Sequence, residues 1–346
     1  MNISRRKEKV ASQIVCAIGL VLSGNAVATM TSIGFEPETE QVVRIADHNP
    51  ARSCRSEIVS CDGARSAEFP GAFATRGGQN TAREGYLVRG DQIRESASSA
   101  PDLWEVFPTQ IGGHKAYISF NRSYAKIANE DDRTSLFRIR LGFKHPTVDG
   151  FPSGDEFREI NQIEDRLTAA AAARGGVEIG RVSVDRHREF LFYVGFDRGV
   201  ANEVVASVGA TTTYQLLLSV QSDAEKKAYW RYLYPTEDDW QVIGDMHVLD
   251  TLHKQGDIDT RTRRVSHWAY FSSPQEAQQF ADWAKANLYR DVSVAPTEDR
   301  TKFVVRFGHE GTTELSDIIH HTIAINRAVN ALGGNYDGWE TVVVRD

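Results

Sequence analysis

Cysteine is scarce in this chain, three in 346 residues, and basic residues are outnumbered, 40 Lys and Arg against 47 Asp and Glu. Cys16 lies in a leading apolar stretch, and Cys54 and Cys61 lie in a polar loop. The last two could close one small disulfide in an oxidising compartment, with two free thiols as the simpler expectation. Their spacing fits no zinc motif, and no second Cys or His pair stands nearby. A net charge of −7 and a pI near 5.8 argue against a general nucleic-acid binder, whose phosphate contacts need clustered Lys and Arg. Long apolar runs are missing as well. Val10 to Leu22 is diluted by Ser12, Gln13 and glycine, and is too short and too polar for a firm membrane span. The common catalytic signatures are also absent: no Gly-x-Ser-x-Gly elbow, no phosphate loop, no His-Glu-x-x-His.

What is present divides the chain. Arg5, Arg6, Lys7 and Lys9 precede the apolar stretch, and Ala26-Val27-Ala28 fits a small-residue cleavage site, so residues 1–34 read as a weak signal-like or anchor segment. Residues 35–102 show no helical or strand period and are rich in Gly, Ser, Arg, Asp and Asn. They read as a disordered linker. Ordered patterning begins at Trp104. A hydrophobic share of 41% suffices for real cores, and 346 residues exceed what a single core usually sustains, so two domains are expected, 103–245 and 250–346.

In the first domain, Trp104–Phe107 and Ala116–Phe120 flank Gly112-Gly113 as a hairpin. Leu136–Phe143 alternates, with Phe137, Ile139, Leu141 and Phe143 on one face and Arg138 and Arg140 on the other, expected to be a solvated face. Phe157, Ile160, Ile163, Leu167 and Ala170 recur at helical spacing up to Gly175-Gly176. Strands at 177–184 and 190–196, a helix near 201–208 and a strand at 214–220 complete a β-α-β-β-α-β order, the split βαβ or ferredoxin-like motif. Glu237-Asp238-Asp239 reads as a solvated connection.

The second domain repeats the order. Val265–Phe271 is a strand. Ser273-Pro274-Gln275-Glu276 is a capping box that opens a helix burying Ala277, Phe280, Ala281 and Ala284. Strands at 292–295 and 303–307 follow, then a helix carrying Leu315, Ile318, Thr322, Ile325, Val329 and Leu332. Gly333-Gly334 ends it. Asp337-Gly338 is expected to turn the chain into a last strand, Thr341–Val344, with Tyr336 and Trp339 pinning the corner. The fold class is therefore α+β, two tandem ferredoxin-like domains after a disordered leader.

Two resemblances follow from these residues. The glycine pair with its Tyr-Asp-Gly-Trp corner, Leu252 and Gly256 at the entry, and Val265-Ser266-His267-Trp268-Ala269-Tyr270-Phe271 resemble the regulator of ribonuclease E activity B family, over about 250–346. That resemblance implies a small α+β protein that binds ribonuclease E and inhibits RNA cleavage without chemistry of its own. The best-known members carry a very acidic tail. Here 11 Lys and Arg stand against 13 Asp and Glu from Leu252 onward, a net of −2. Trp104, the Asp149-Gly150-Phe151-Pro152 loop and Ile163-Glu164-Asp165 with Leu167 resemble the domain of unknown function 695, over about 103–240. That resemblance implies an architecture and no activity.

The expected partner is a protein, a ribonuclease E-like endoribonuclease, bound through His267, Trp268, Tyr336, Asp337 and Trp339, because Trp and Tyr are enriched among binding hot spots. Core filling by Trp339 is the competing account. No cofactor and no metal are expected. Among His309, Glu310, His320 and His321, the adjacent histidines point about 100° apart on a helix and do not share one ion comfortably. The alternatives are an exported cell-envelope binding protein and a hydrolase site at Asp149, Glu164 and Asp165. In that site, burial of Glu164 on the apolar side of its helix would raise its pKa. A cytoplasmic location is favoured, with export as the alternative.

Overall fold

Alternating and β-branched runs build the sheets, and the glycine, serine and aspartate clusters between them set their ends. The structure, a computed structural model, describes Thr29–Met30 and residues 103–345. Apart from those first two residues, the signal-like segment, the linker and the three cysteines lie outside the described residues. The described part is α+β with two sheets, antiparallel throughout except for one short contact. No helix among the described residues is long and apolar enough to cross a membrane.

The first sheet has the order β1-β2-β3-β5-β6-β4-β7. Its strands are β1 (Thr29–Met30), β2 (Trp104–Ile111), β3 (His114–Asn121), β4 (Ser135–Gly142), β5 (Val177–Val184), β6 (His187–Val194) and β7 (Leu216–Ser222). The β2–β3 hairpin turns at Gly112-Gly113, as the sequence predicts. Helices α1 (Gly154–Ala172) and α2 (Arg198–Gly209) cover one face, against Phe137, Ile139, Leu141, Phe190 and Phe192. The other face is covered by a π-helical turn, Ala228–Leu233, and packs Phe107, Ile118, Phe120, Leu136, Leu191 and Tyr193. Both faces being covered corrects the expectation for Arg138. It is not solvated but 6% exposed, because Tyr232 of the π-helical turn is laid against this side of β4.

The second sheet has the order β11-β8-β10-β9. Its strands are β8 (Arg263–Phe271), β9 (Arg290–Pro296), β10 (Phe303–Gly311) and β11 (Asn335–Thr341). Helix α4 (Pro274–Ala286) is capped by Ser273, whose side chain accepts from the Glu276 amide. It packs with α5 (Leu315–Ala331) on one face, around Phe271, Phe280, Phe307 and Ile325. Both strand orders, each with two helices on one face, are consistent with tandem ferredoxin-like units.

Two expectations are corrected. Glu237-Asp238-Asp239 is no loose connection but the first turn of α3 (Glu237–Lys254). Thr236 and Asp239 close a reciprocal capping box there, and the three acids sit at the positive helix end. The last strand is Asn335–Thr341, not Thr341–Val344. Gly333, at φ +70, ends α5, and the Gly334 amide bonds the Val329 carbonyl. The chain therefore reverses at once and pairs Asn335 with Tyr270. Tyr336-Asp337-Gly338-Trp339 lies within β11 and forms a bulge in it, not a corner before it.

Candidate partner-binding site

Strand alternation sorts the five sequence-predicted residues. Along β8, every second residue from Arg263 is buried, which places His267 inward and Trp268 outward. On β11, Tyr336 pairs with Ala269 and Trp339 with His267, both inward positions. Residues three apart in a regular strand face opposite sides. Here Asp337 is the extra residue of the bulge, with Gly338 at φ +100, so both aromatics face the core. Asp337 itself is exposed. The structure thus brings His267, Tyr336 and Trp339 together inside, and leaves Trp268 and Asp337 on the outer face.

Trp339 is 7% exposed and packs with Leu249, Leu252, Val265 and Ile318. Its indole Nε1–H donates to Asp245 Oδ1 at 2.9 Å. The same carboxylate accepts from Thr322 Oγ1 at 2.6 Å and Gln241 Nε2 at 2.9 Å. Burial pushes Asp245 up to about 6, against the three hydrogen bonds that favour its charged form. Asp245, 94 residues from Trp339, carried no signal in the sequence.

His267 is fully buried, with Nδ1 2.7 Å from Tyr336 Oη and Nε2 3.0 Å from His309 Nδ1. The His309 ring stacks on His321 at 3.7 Å, and Tyr289 Oη lies 3.0 Å from His321 Nδ1. Burial holds His267 well below its ordinary value and lowers His309 to about 4; the neighbouring imidazoles add to both. His321 is lowered as well, by burial first. Stacked rings point their lone pairs side by side, so His309 and His321 do not converge on one point. Among the described residues no group of three or more His, Cys, Asp or Glu is placed to hold a metal ion. His320 is exposed, and His321 rather than His320 joins the cluster. Inward alternation of His267 on β8 was the one sequence signal for this arrangement.

The outer face of this sheet carries Trp268 and Tyr270, both half-buried, with exposed Arg306, Asn335 and Glu340 beside them. An open cleft at one end is lined by Tyr270, Thr297, Glu298, Lys302, Asn335 and Asp337, among others. In the first unit, two residues of the hydrolase alternative are engaged by cations. Glu164 is buried and ion-paired with Arg181 and Arg188. Asp149 accepts from Lys115 Nζ at 3.0 Å.

No curated protein matches the chain. Among solved structures, an unknown protein from Galdieria sulphuraria is similar at 10% identity, with 61% of this chain and 99% of that one covered and a TM-score of 0.17. A candidate glycine cleavage system transcriptional repressor gives 8% identity, 61% and 98% coverage and a TM-score of 0.21. Scores this low carry no argument. The families are more informative: residues 102–234 match the family of unknown function DUF695, and residues 243–341 match the family Regulator of ribonuclease activity B.

Proposed function

We propose that this chain is a protein-binding regulator without catalysis of its own, acting on a ribonuclease E-like endoribonuclease. The observation that carries this reading is the match of residues 243–341 to Regulator of ribonuclease activity B. The two folded units are assigned as ferredoxin-like, from their strand orders and antiparallel pairings. The sorting above supports a contact face on the outer side of the second sheet. Trp268 and Asp337 point outward and are available to a partner, whereas His267, Tyr336 and Trp339 support that face from within. Tyr270 adds a second aromatic beside Trp268. A half-buried Trp and Tyr next to carboxylates suit a protein surface that supplies apolar area and cationic side chains. The acidic balance of the whole chain weighs against direct RNA contact. Action in the cytoplasm is part of the same reading, because the proposed partner is a ribonuclease. A mature chain beginning at Thr29, found by mass spectrometry, would favour the exported reading.

The test uses the purified full chain and the endoribonuclease of its native cell. RNA cleavage should slow as the chain is added in stoichiometric amounts. Trp268→Ala and Asp337→Ala should weaken binding at least tenfold with melting temperature unchanged within two degrees or so. Unimpeded cleavage with no complex by sedimentation overturns the regulator reading. Unchanged binding by both variants overturns only the assigned face.

A further inference from the structure

Each sheet ends in two edge strands, and an edge strand offers unpaired N–H and C=O groups to any strand that reaches it. Three of the four edges among the described residues are blunted. β1 pairs over only two residues, β9 carries Arg290, Asp291 and Pro296, and β11 carries the Asp337 bulge and Glu340. β7 has none of these protections. It runs seven residues, Leu-Leu-Leu-Ser-Val-Gln-Ser, in unbroken register with β4. No charged residue or proline occurs from Ala210 to Ser222. Leu217 is 40% exposed, and Leu216, Leu218 and Val220 are only half-buried although they pack on the core under α1 and α2.

The ladder with β4 fixes which backbone groups stand free on that edge. The Asp223 amide donates to the Thr134 carbonyl at 2.8 Å, one step beyond the Ser135–Ser222 pair. Hydrogen-bonded pairs alternate along an antiparallel ladder, so Gln221, Ser219 and Leu217 turn their backbone groups to β4. The far side of β4 agrees. The Phe143 amide donates to the Arg186 carbonyl at 2.7 Å, so odd-numbered residues of β4 serve β6 and even-numbered ones serve β7. Leu216, Leu218, Val220 and Ser222 therefore point N–H and C=O outward, and among the described residues no strand lies beyond them.

We propose that β7 pairs antiparallel with β7 of a second copy of this chain, joining two first-unit sheets across a two-fold axis at Ser219. This register engages the whole strand. Leu218 opposes Val220 of the partner subunit, and Leu216 opposes Ser222 of the partner subunit. All four are outward residues, so each such pair exchanges two backbone hydrogen bonds. On the helix side, Leu218 and the partner subunit's Val220 close the half-buried rim of each core. On the other face Leu217 meets Gln221 of the partner subunit, and Ser219 meets its own copy, where two hydroxyls can bond. That self-match is what selects a second copy as the occupant. A two-fold axis sets the residue on it against its own like, so a charge there would meet the same charge, and β7 has none. The pairing closes at two copies, because each chain has one such edge.

Sedimentation velocity of the full chain, from about 1 to about 100 μM, should show a monomer passing to a dimer and no larger species. Leu217→Lys with Gln221→Lys sets like charges opposite one another twice, at two exposed positions. It should return the chain to monomer, with the melting temperature held within about two degrees. Leu217→Glu with Gln221→Lys sets opposite charges at the same two places and should restore the dimer, a rescue specific to this register. Should a variant not fold, amide exchange of the wild type decides. Where nine chains in ten are dimeric, the Leu216, Leu218, Val220 and Ser222 amides should exchange about tenfold more slowly than in the monomer, since only the free tenth exchanges. The Leu217, Ser219 and Gln221 amides should be protected in both states. A wild type that stays monomeric or grows beyond a dimer overturns the proposal. So does a dimer indifferent to the like charges, a folded opposite-charge variant that stays monomeric, or outward amides that exchange alike at both concentrations.

Discussion

Asp245 and the histidine cluster titrate in the same unit with opposite consequences for stability. Burial raises Asp245 to about 6 from an ordinary value near 3.8. An acid that holds its proton more tightly when folded adds stability that is complete below 3.8 and lost as pH rises through about 6. The shift is worth roughly 3 kcal/mol at most. The histidines run the other way. Burial lowers His309 from 6.5 to about 4, so its contribution is complete above pH 6.5 and lost as pH falls through about 4. His267 and His321 are shifted in the same direction, so three rings outweigh one carboxylate. Urea midpoints should therefore fall between pH 6.5 and 4. Asp245→Asn should raise stability at pH 8 and steepen that fall, because the offsetting group is gone. His309→Phe should keep the stack with His321, lose about 1 kcal/mol at pH 8 for the missing hydrogen bond, and flatten the profile. A midpoint that does not move from pH 7 to 4 would refute the account. Trp339 belongs to the same scale: Trp339→Ala should cost about 3–5 kcal/mol, while Asp337→Ala should stay within about 0.5 kcal/mol.

Among the elements, β11 and α3 show what the sequence reveals and what it hides. Most strands and helices were legible because each buries one face, and one buried face leaves a period of two or of 3.6. In β11 the bulge at Asp337 breaks the period, so Tyr336 and Trp339 read as a corner although both belong to a strand. Helix α3 hides for a different reason. Val242 and Met246 pack against Ile319 and Ile323, Ile243 belongs to the first core, and Leu249 and Leu252 to the Trp339 cluster. A helix buried on several sides presents no single apolar stripe, and its acidic start resembles a linker. The predicted site was legible by residue type, but its division between core and surface depended on the bulge. Gly338 is the test of that element. At φ +100 a side chain is strained, so Gly338→Ala should cost about 1–3 kcal/mol and lower the melting temperature, with Asp337→Ala as the unstrained control. A harmless Gly338→Ala would remove the bulge from the explanation.

On the scale of the whole molecule, α3 makes the stability of the two halves interdependent. It reaches the first sheet through Trp240, which meets Phe120 and Tyr234 edge-on, and through His247, 3.0 Å from Glu105 of β2. It reaches the second unit through Asp245, and through Asp238, which accepts from Arg327 Nε at 3.1 Å. The exposed Asp238–Arg327 pair contributes little, within about 1 kcal/mol. The apolar contacts decide the outcome: Met246→Ala should cost about 2–5 kcal/mol, several times more than Arg327→Ala. The same reasoning fixes where the C-terminal unit can be cut. A fragment of residues 236–346 keeps the capping box, the Asp245 hydrogen bond to Trp339, and Leu249 and Leu252 over that indole. A fragment of residues 256–346 loses all of them and exposes Trp339, Ile318, Ile319 and Ile323 together. The longer fragment should unfold in one cooperative transition by circular dichroism. The shorter one should show no cooperative transition and should aggregate, because among the described residues only α3 and the first unit cover that apolar patch, and the fragment lacks both. Equal cooperativity in the two fragments would mean that α3 is only a tether and that the second unit closes its core without it.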